Sequence, residues 1–368
     1  MQKYLSSCRF DLMAKYLYIK YEDKKINTNF YRDLYHNHII TFNNCNELPD
    51  SENPNQNPKK NIDDFFESFD KLIYSIKNNG FDNKYPITIG NNGVIINGAH
   101  RLMISYFYNI QPTYKLLPGP GNVDYNCNFF LNRKSHPSLD SLYTDTMALE
   151  YIKHNPNIRA MVLYPTAYPY NKFRELFHVI NQYAYIYYSK SIKLNPNGIS
   201  NLIKEMYRGE EWIGGMFPVG FSPGGKAQRC VGLQGNKMYP TILLLLDMNE
   251  LDKCDELKDK CRVLFGIGKH SLHISDYMKD TFRIASSLLN ENSIDYLNKG
   301  TNDISENTKR MLLQYFENIG ENNEDYCLTS SIIMEMYGLR QAKDIDYLHK
   351  NNNKININNI GIHDGKWL

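Results

Sequence analysis

The chain lacks an excess of either charge, any paired cysteine motif, and any apolar run long enough to cross a bilayer. Each absence excludes a class of protein. Over 368 residues, 42 basic side chains stand against 40 acidic ones, a formal net charge of +2, so no global field draws the molecule to nucleic acid or to an anionic membrane. A charged ligand must therefore be held by a local arrangement. The seven cysteines, at 8, 45, 127, 230, 254, 261 and 327, are odd in number and never spaced C-x-x-C. This argues against a zinc ribbon and against a secreted disulfide scaffold, and it predicts a reducing, cytoplasmic setting. The longest strongly apolar run, "TILLLLDM" at 241–248, has the length of a buried strand. The opening residues are polar and charged where a signal peptide would be apolar. What is present is core-forming material: 42% hydrophobic and 13% aromatic residues, 29 of them tyrosine, which predicts a folded protein. The length predicts two or three units, each burying a core.

The pattern along the chain predicts an α/β (α+β), multidomain protein. An N-terminal arm and an Asn-rich loop at 43–61 precede apolar residues at helical spacing in "IDDFFESFDKLIYSI" (62–76), with Gly80 as the stop. Two short strands, "YPITIG" and "GVIING", flank an Asn-Asn-Gly turn, and "AHRLMISYFYNI" reads as a helix. A first unit is placed at 1–150. The second, 155–300, reads strand 160–165, helix 170–183, strand 184–194, helix 198–209, strand 241–247 and helix 278–290, the order of a ferredoxin-like α/β sandwich. The third, 305–368, has little apolar sequence at its end and reads as part of something longer.

Three segments carry candidate chemistry. In "IINGAHRLMISYF" (95–107), Gly98 allows backbone to approach a ligand, the helix start offers free amides and Arg101 can clamp a phosphate. Strand, G-x-H-R and helix resemble the ParB/sulfiredoxin fold with its free-serine kinase relatives over about residues 62–115. That resemblance implies a nucleotide-phosphate cradle formed by Gly98, His100 and Arg101. Ala99 stands where sulfiredoxins carry their reactive cysteine, so sulfiredoxin chemistry is not expected.

Arg262 followed by "SLHISD" (271–276) and a helix resembles the signature of nucleoside diphosphate kinases over about 160–290. The resemblance implies His273 as nucleophile or phosphate contact, Arg262 as phosphate clamp, and Asp276 with Ser275 fixing the turn. A neutral imidazole is a good nucleophile that titrates near working pH. Tyr164 stands where those kinases have a lysine, and Ile284 where the orienting glutamate falls. A plainer arrangement fits the same residues, with Ser275 or Asp276 capping the helix at 278 and His273 packed at a strand end.

In "CLTSSIIMEMYGLRQAKDIDYL" (327–348), alternate strand residues Asp344 and Asp346 share a face, as a divalent metal between triphosphate and acceptor requires. The segment resembles the nucleotidyltransferase superfamily. This implies phosphate contacts from Ser330, Ser331 and Arg340, and a third carboxylate, for which Asp364 is the late candidate.

Three successive blocks resembling nucleotide-handling domains imply a transferase that uses Mg2+ with ATP or another nucleoside triphosphate and a small acceptor, such as a sugar or glycan precursor. Nucleic acid and membrane are not expected partners, and the middle unit is a candidate for homo-oligomerisation. The alternative is a nucleotide-sensing or DNA-associated protein of the ParB lineage, for which Arg133, Lys134 and His136 are the local basic residues.

Overall fold

Two helices that begin the described chain set its architecture. α1 (Asp11–Lys24) and α2 (Phe30–Asn43) pack on one another, and α1 also packs on the helices Ala99–Phe107 and Ser141–His154. The computed structural model describes residues 8–24, 29–47, 58–121, 123–133, 139–213, 224–232, 238–301, 304–320, 325–350 and 354–363. α1 is buried along most of its length, including two charged residues, Asp11 and Lys15. Asp11 accepts from Arg9 Nε at 2.8 Å and Nη2 at 2.9 Å and from Lys15 Nζ at 2.7 Å. The paired cations hold its carboxyl below the usual carboxylate range despite burial.

α3 (Ile62–Asn79) forms as its spacing predicts. Phe65, Phe66, Phe69, Ile73 and Ile76 face inward, Asn61 caps the start by accepting from the Asp64 amide, and Gly80 ends it at φ 79°. β1 (Ile87–Ile89) and β2 (Ile95–Asn97) pair antiparallel, α4 (Ala99–Phe107) follows, and β3 (Tyr114–Leu116) returns parallel to β1. The short α5 (Cys127–Leu131) and α6 (Ser141–His154) lead to the second sheet.

That sheet is made by β4 (Ile158–Leu163), α7 (Phe173–Ile180), β5 (Ala184–Ile192), α8 (Pro196–Met206), α9 (Gly224–Cys230), β6 (Thr241–Met248), α10 (Cys254–Phe265) and β7 (Leu272–Ile274). Its order is β5-β6-β4-β7, with every pair antiparallel. Alternation divides its side chains. Met161, Leu163, Leu244, Leu246, Leu272 and Ile274 pack against Leu176 and Ile180 of α7 and Leu257, Cys261 and Phe265 of α10. On the other face Ala160, Val162, Tyr187, Leu243 and Leu245 join a core continuous with α1, α2, α3, α4 and α6. One core therefore runs across the sequence boundary near residue 150. α11 (Met278–Leu288) and α12 (Glu291–Lys299) close this face.

A separate core serves the end of the chain. α13 (Glu306–Ile319), β8 (Tyr326–Thr329), α14 (Ser331–Met336), β9 (Ile345–His349) and β10 (Ile360–Ile362) build a sheet of order β10-β9-β8 packed around Met311, Leu312, Tyr315, Ile345 and Tyr347. Among the described residues no helix is long and apolar enough to cross a membrane.

The edge strand β7 is short, and a side chain extends its ladder. Ser275 donates its amide to the Ala160 carbonyl at 2.9 Å, its Oγ accepts from the Ala160 amide at 2.9 Å, and Oγ lies 2.7 Å from Thr281 Oγ1. Ser275→Ala leaves the buried Ala160 N–H without an acceptor, so the unfolding free energy in urea should fall by about 1–3 kcal/mol.

Candidate functional site

β7 ends beside a cleft of about 770 Å3. Four elements supply its polar lining. α10 turns one face inward, where Asp255, Lys258, Asp259 and Arg262 recur at helical spacing, while Leu257, Cys261 and Phe265 on the other face are buried under the sheet. α9 brings Lys226 and Arg229, the turn at 268–270 brings Lys269 and His270, and β7 brings His273. Tyr207 and Trp212, beyond the end of α8, form an aromatic wall with ring centroids 5.0 Å apart.

Three aspartates only partly offset these cations. Lys258 is paired with Asp276 at 2.5 Å and with Asp255 at 3.2 Å, and Arg262 lies 3.8 Å from Asp259. Lys226 donates to the Lys269 carbonyl at 2.9 Å and sits over the rings of Tyr207 and Tyr164, 5.0 and 5.4 Å from their centroids. Arg229 Nη1 is 3.4 Å from His270 Nε2. Among the described residues Lys226, Arg229 and Lys269 have no carboxylate partner, and Arg262 Nε and His270 Nδ1 are buried without a hydrogen bond. Burial holds the Lys226 ammonium below its ordinary pKa, and burial plus Lys226, Arg229 and Lys269 does the same to His270. Five cationic side chains against three aspartates leave the described lining of this concavity with a local surplus of positive charge.

His273 lies at the bottom of this cleft, opposite Val162 in the β4–β7 ladder. Burial, reinforced by Lys258, pushes its pKa down to about 3, so the ring is neutral at working pH. Among the described residues no carboxylate orients it. Its Nδ1 is 3.1 Å from the Tyr207 hydroxyl, and the two rings meet edge to face. Neither Ser275 nor Asp276 caps α11: the cap position is Tyr277, with no side-chain bond, Ser275 is spent on the β4 ladder, and Asp276 pairs with Lys258. His273, Arg262 and Asp276 are thus brought together in one cleft, with Asp276 acting through a lysine rather than on the turn.

The other candidates lie on other sheets. Gly98 begins α4 at φ 92°, and a Cβ there would come within 3.3 Å of Ile87 Cα, so the turn requires glycine. His100 points inward, its Nε2 2.9 Å from the Tyr35 hydroxyl and its ring against Phe69 at 4.5 Å, and burial holds it neutral. Arg101 donates to the Tyr85 carbonyl. In the last unit, Ser330 has φ 57° and ψ −131°, a glycine-like backbone that costs a serine about 1–3 kcal/mol. Ser331 Oγ donates to the Asp344 carbonyl and carboxylate, each at 3.3 Å. Asp344 lies just before β9 rather than in it, and Asp346 faces outward between the inward Ile345 and Tyr347. Arg340 is exposed, and Asp364, Lys134 and His136 lie outside the described residues. Asp344 and Asp346 offer the oxygen ligands that a magnesium ion prefers. Among the described residues, however, no three His, Cys, Asp or Glu side chains gather in a group that could hold a metal.

Compared with models of protein families, with curated proteins and with solved structures, the chain gives no match in any of the three.

Lys226, Arg229, Lys269, His270 and Tyr207 do not stand out as candidates in the sequence. The spacing of charge at 255, 258, 259 and 262 is a signal for the face of α10. Nothing in the linear sequence joins α9 to residue 273.

The buried histidines carry a pH consequence. His38, His100 and His273 are all held below their ordinary pKa by burial, whereas in the unfolded chain each titrates near about 6.5. Below that pH the unfolded chain binds protons that the folded chain refuses. Stability therefore falls as pH drops, by up to about 1.4 kcal/mol per pH unit for each histidine, until pH passes the folded value. In His273→Gln, the slope of unfolding free energy between about pH 6 and 4 should become shallower by about one proton.

Proposed function

We propose that the chain is a nucleotide-dependent transferase whose cleft binds the phosphate chain of a nucleoside triphosphate, for transfer of a phosphoryl or nucleotidyl group to a small acceptor. One observation carries the reading: Lys226, Arg229, Arg262 and Lys269 converge, without enough carboxylates among the described residues to neutralise them, on a neutral, buried His273. Positioning and charge neutralisation dominate phosphoryl-transfer catalysis, and such a cleft supplies both.

The topology supports a nucleoside diphosphate kinase-like reading of the middle unit. β4, β5, β6 and β7 follow one another as the strands of a ferredoxin-like sandwich and take its antiparallel order, with α7 and α10 on one face and the histidine on the edge strand. Lys226, over the Tyr164 ring, puts an ammonium near the position where the lysine of that signature is missing. For the last unit, a nucleotidyltransferase-like reading is supported by the Ser330 backbone and by Asp344 and Asp346 on β9 and its approach. In that reading, magnesium held by those carboxylates would neutralise a triphosphate bound at the last unit itself, apart from the cleft. Ser331 would fix the Asp344 carboxylate for that task. A binding protein without turnover is favoured by a different observation, that no carboxylate among the described residues orients His273.

The test is binding and turnover of ATP, CTP and GTP with magnesium by the whole chain, with label at the α- and γ-phosphates and Trp212 emission as the binding signal. Arg262→Ala and Lys226→Ala should each weaken nucleotide binding about tenfold, and raising salt should weaken it further. If nucleotidyl transfer is the reaction, Asp344→Asn abolishes release of labelled pyrophosphate while leaving binding at the Lys226–Arg262 cleft intact. Failure of all three nucleotides and of inorganic triphosphate to bind would remove the phosphate-site reading.

A further inference from the structure

His270, in the turn between α10 and β7, meets α9 across the cleft lining, with its Nε2 3.4 Å from Arg229 Nη1. A guanidinium carries five donors, no acceptor and a charge that it does not lose, so in this contact the arginine donates and Nε2 accepts. Nε2 is therefore bare and the ring is neutral. Its single proton is on Nδ1, which is buried and has no acceptor among the described residues.

The charges that face the ring are of one sign. α9 contributes Lys226 and Arg229, and the turn itself contributes Lys269. α10 brings Arg262, 3.8 Å from Asp259, and β7 brings His273, which is neutral. The three aspartates of the cleft sit on Lys258 and Arg262, and among the described residues none forms an ion pair with His270. A second proton, on Nε2, would replace the Arg229 hydrogen bond by two cations facing one another. The empty cleft consequently holds the ring deprotonated. An oxyanion among these side chains reverses the balance, because it accepts from Arg229 and makes a protonated Nε2 a second donor to itself.

We infer that His270 is a conditional ligand of the cleft: it accepts from Arg229 while the site is empty, and it takes a proton from solvent at Nε2 when a phosphate or another oxyanion binds, so that binding consumes a proton. The ligand is the one assigned under the proposed function and rests on that reading; the bare Nε2 of the empty ring does not. By linkage, an anion that favours the protonated ring is itself bound more tightly by that ring, by the same factor. Affinity therefore increases as pH falls through the ring's midpoint with anion bound, and it levels off below the lower midpoint of the empty protein.

Sulfate is the probe, because unlike a phosphate chain it keeps its charge between about pH 8 and about pH 5, so that a proton taken up belongs to the protein. The whole chain, labelled with 15N-histidine, is titrated with and without sulfate, and His270→Gln assigns the signal. Without sulfate, long-range proton–nitrogen spectra should show the neutral His270 ring protonated on Nδ1; a proton on Nε2 overturns the inference. At saturating sulfate the His270 midpoint should rise by about one pH unit, and sulfate affinity should increase about tenfold from about pH 8 to about pH 5. His270→Gln should lose most of that increase, and Arg229→Gln should weaken sulfate binding. Sulfate bound with an unmoved midpoint, or equal tightening in wild type and His270→Gln, overturns the inference and leaves the anion site standing. Absence of binding by both sulfate and inorganic triphosphate at every pH removes the site and the inference with it.

Discussion

Three backbone pairings hold the candidate site in place: Met161 with Ile274, Val162 with His273 and Leu163 with Leu272. A strand this short contributes little by itself, and it is fixed from both ends. Leu272 and Ile274 are anchored in the apolar layer under α7 and α10, and the Ser275 hydroxyl continues the ladder to Ala160. Because side chains alternate across the sheet, anchoring Leu272 and Ile274 on one face forces His273 to the other, where the cleft lies. A slip of one residue would bury the imidazole in hydrocarbon and turn Leu272 and Ile274 toward Arg262.

The cleft shows how a chain with almost no net charge builds a locally positive surface, five cations against three aspartates among the described lining residues. Charge is concentrated by fold, not by composition. α10 contributes cations and anions in alternation, and these are largely offset by the Lys258–Asp255 and Arg262–Asp259 pairs within the helix and by Asp276, beyond β7, on Lys258. The surplus comes from Lys226, Arg229 and Lys269, on elements that among the described residues place no acidic side chain in the cleft. Of the three only Lys226 is partly buried, and the like charge of Lys269 beside it adds to the cost of its ammonium. Tyr207 performs a second task there. It packs against Trp212, lies under the Lys226 ammonium and bonds to His273, so the ring and the cation are positioned by one side chain.

Legibility varies with burial. α3 is readable because one face is apolar and the other wet, with a capping asparagine before it and a glycine after it. α1 reads only as part of an arm because it is enclosed on most sides. A helix surrounded by protein shows no apolar stripe, and its buried Asp11 and Lys15, satisfied by each other and by Arg9, look like surface charge in a linear sequence. α10 is absent from the sequence reading: its buried residues Leu257, Cys261 and Phe265 are few among charged neighbours, of which Asp255 and Asp259 remain exposed at the rim of the cleft. His100 shows the reverse case: its place in a G-x-H-R motif suggests a ligand contact, but Tyr35 and Phe69 claim the ring.

Periodicity and punctuation are enough for β4, α7, β5, α8, β6 and α11 and for the mixed α/β character, since both are local consequences of chain geometry, but not for α9, α10 or the short β7. Arg262, His273 and Asp276 are grouped in the sequence only by the resemblance of their segment to the nucleoside diphosphate kinase signature. The partners of that set could come only from folding. Tyr164, Tyr207, Lys226 and Arg229 are distant in the chain and share no spacing with residue 273. They meet it because the order β5-β6-β4-β7 places the end of β4 beside β7, and because the segment between β5 and β6 lies over the face that alternation assigns to the histidine. Long-range convergence of this kind is governed by which surfaces pack together, and no local sequence pattern encodes it.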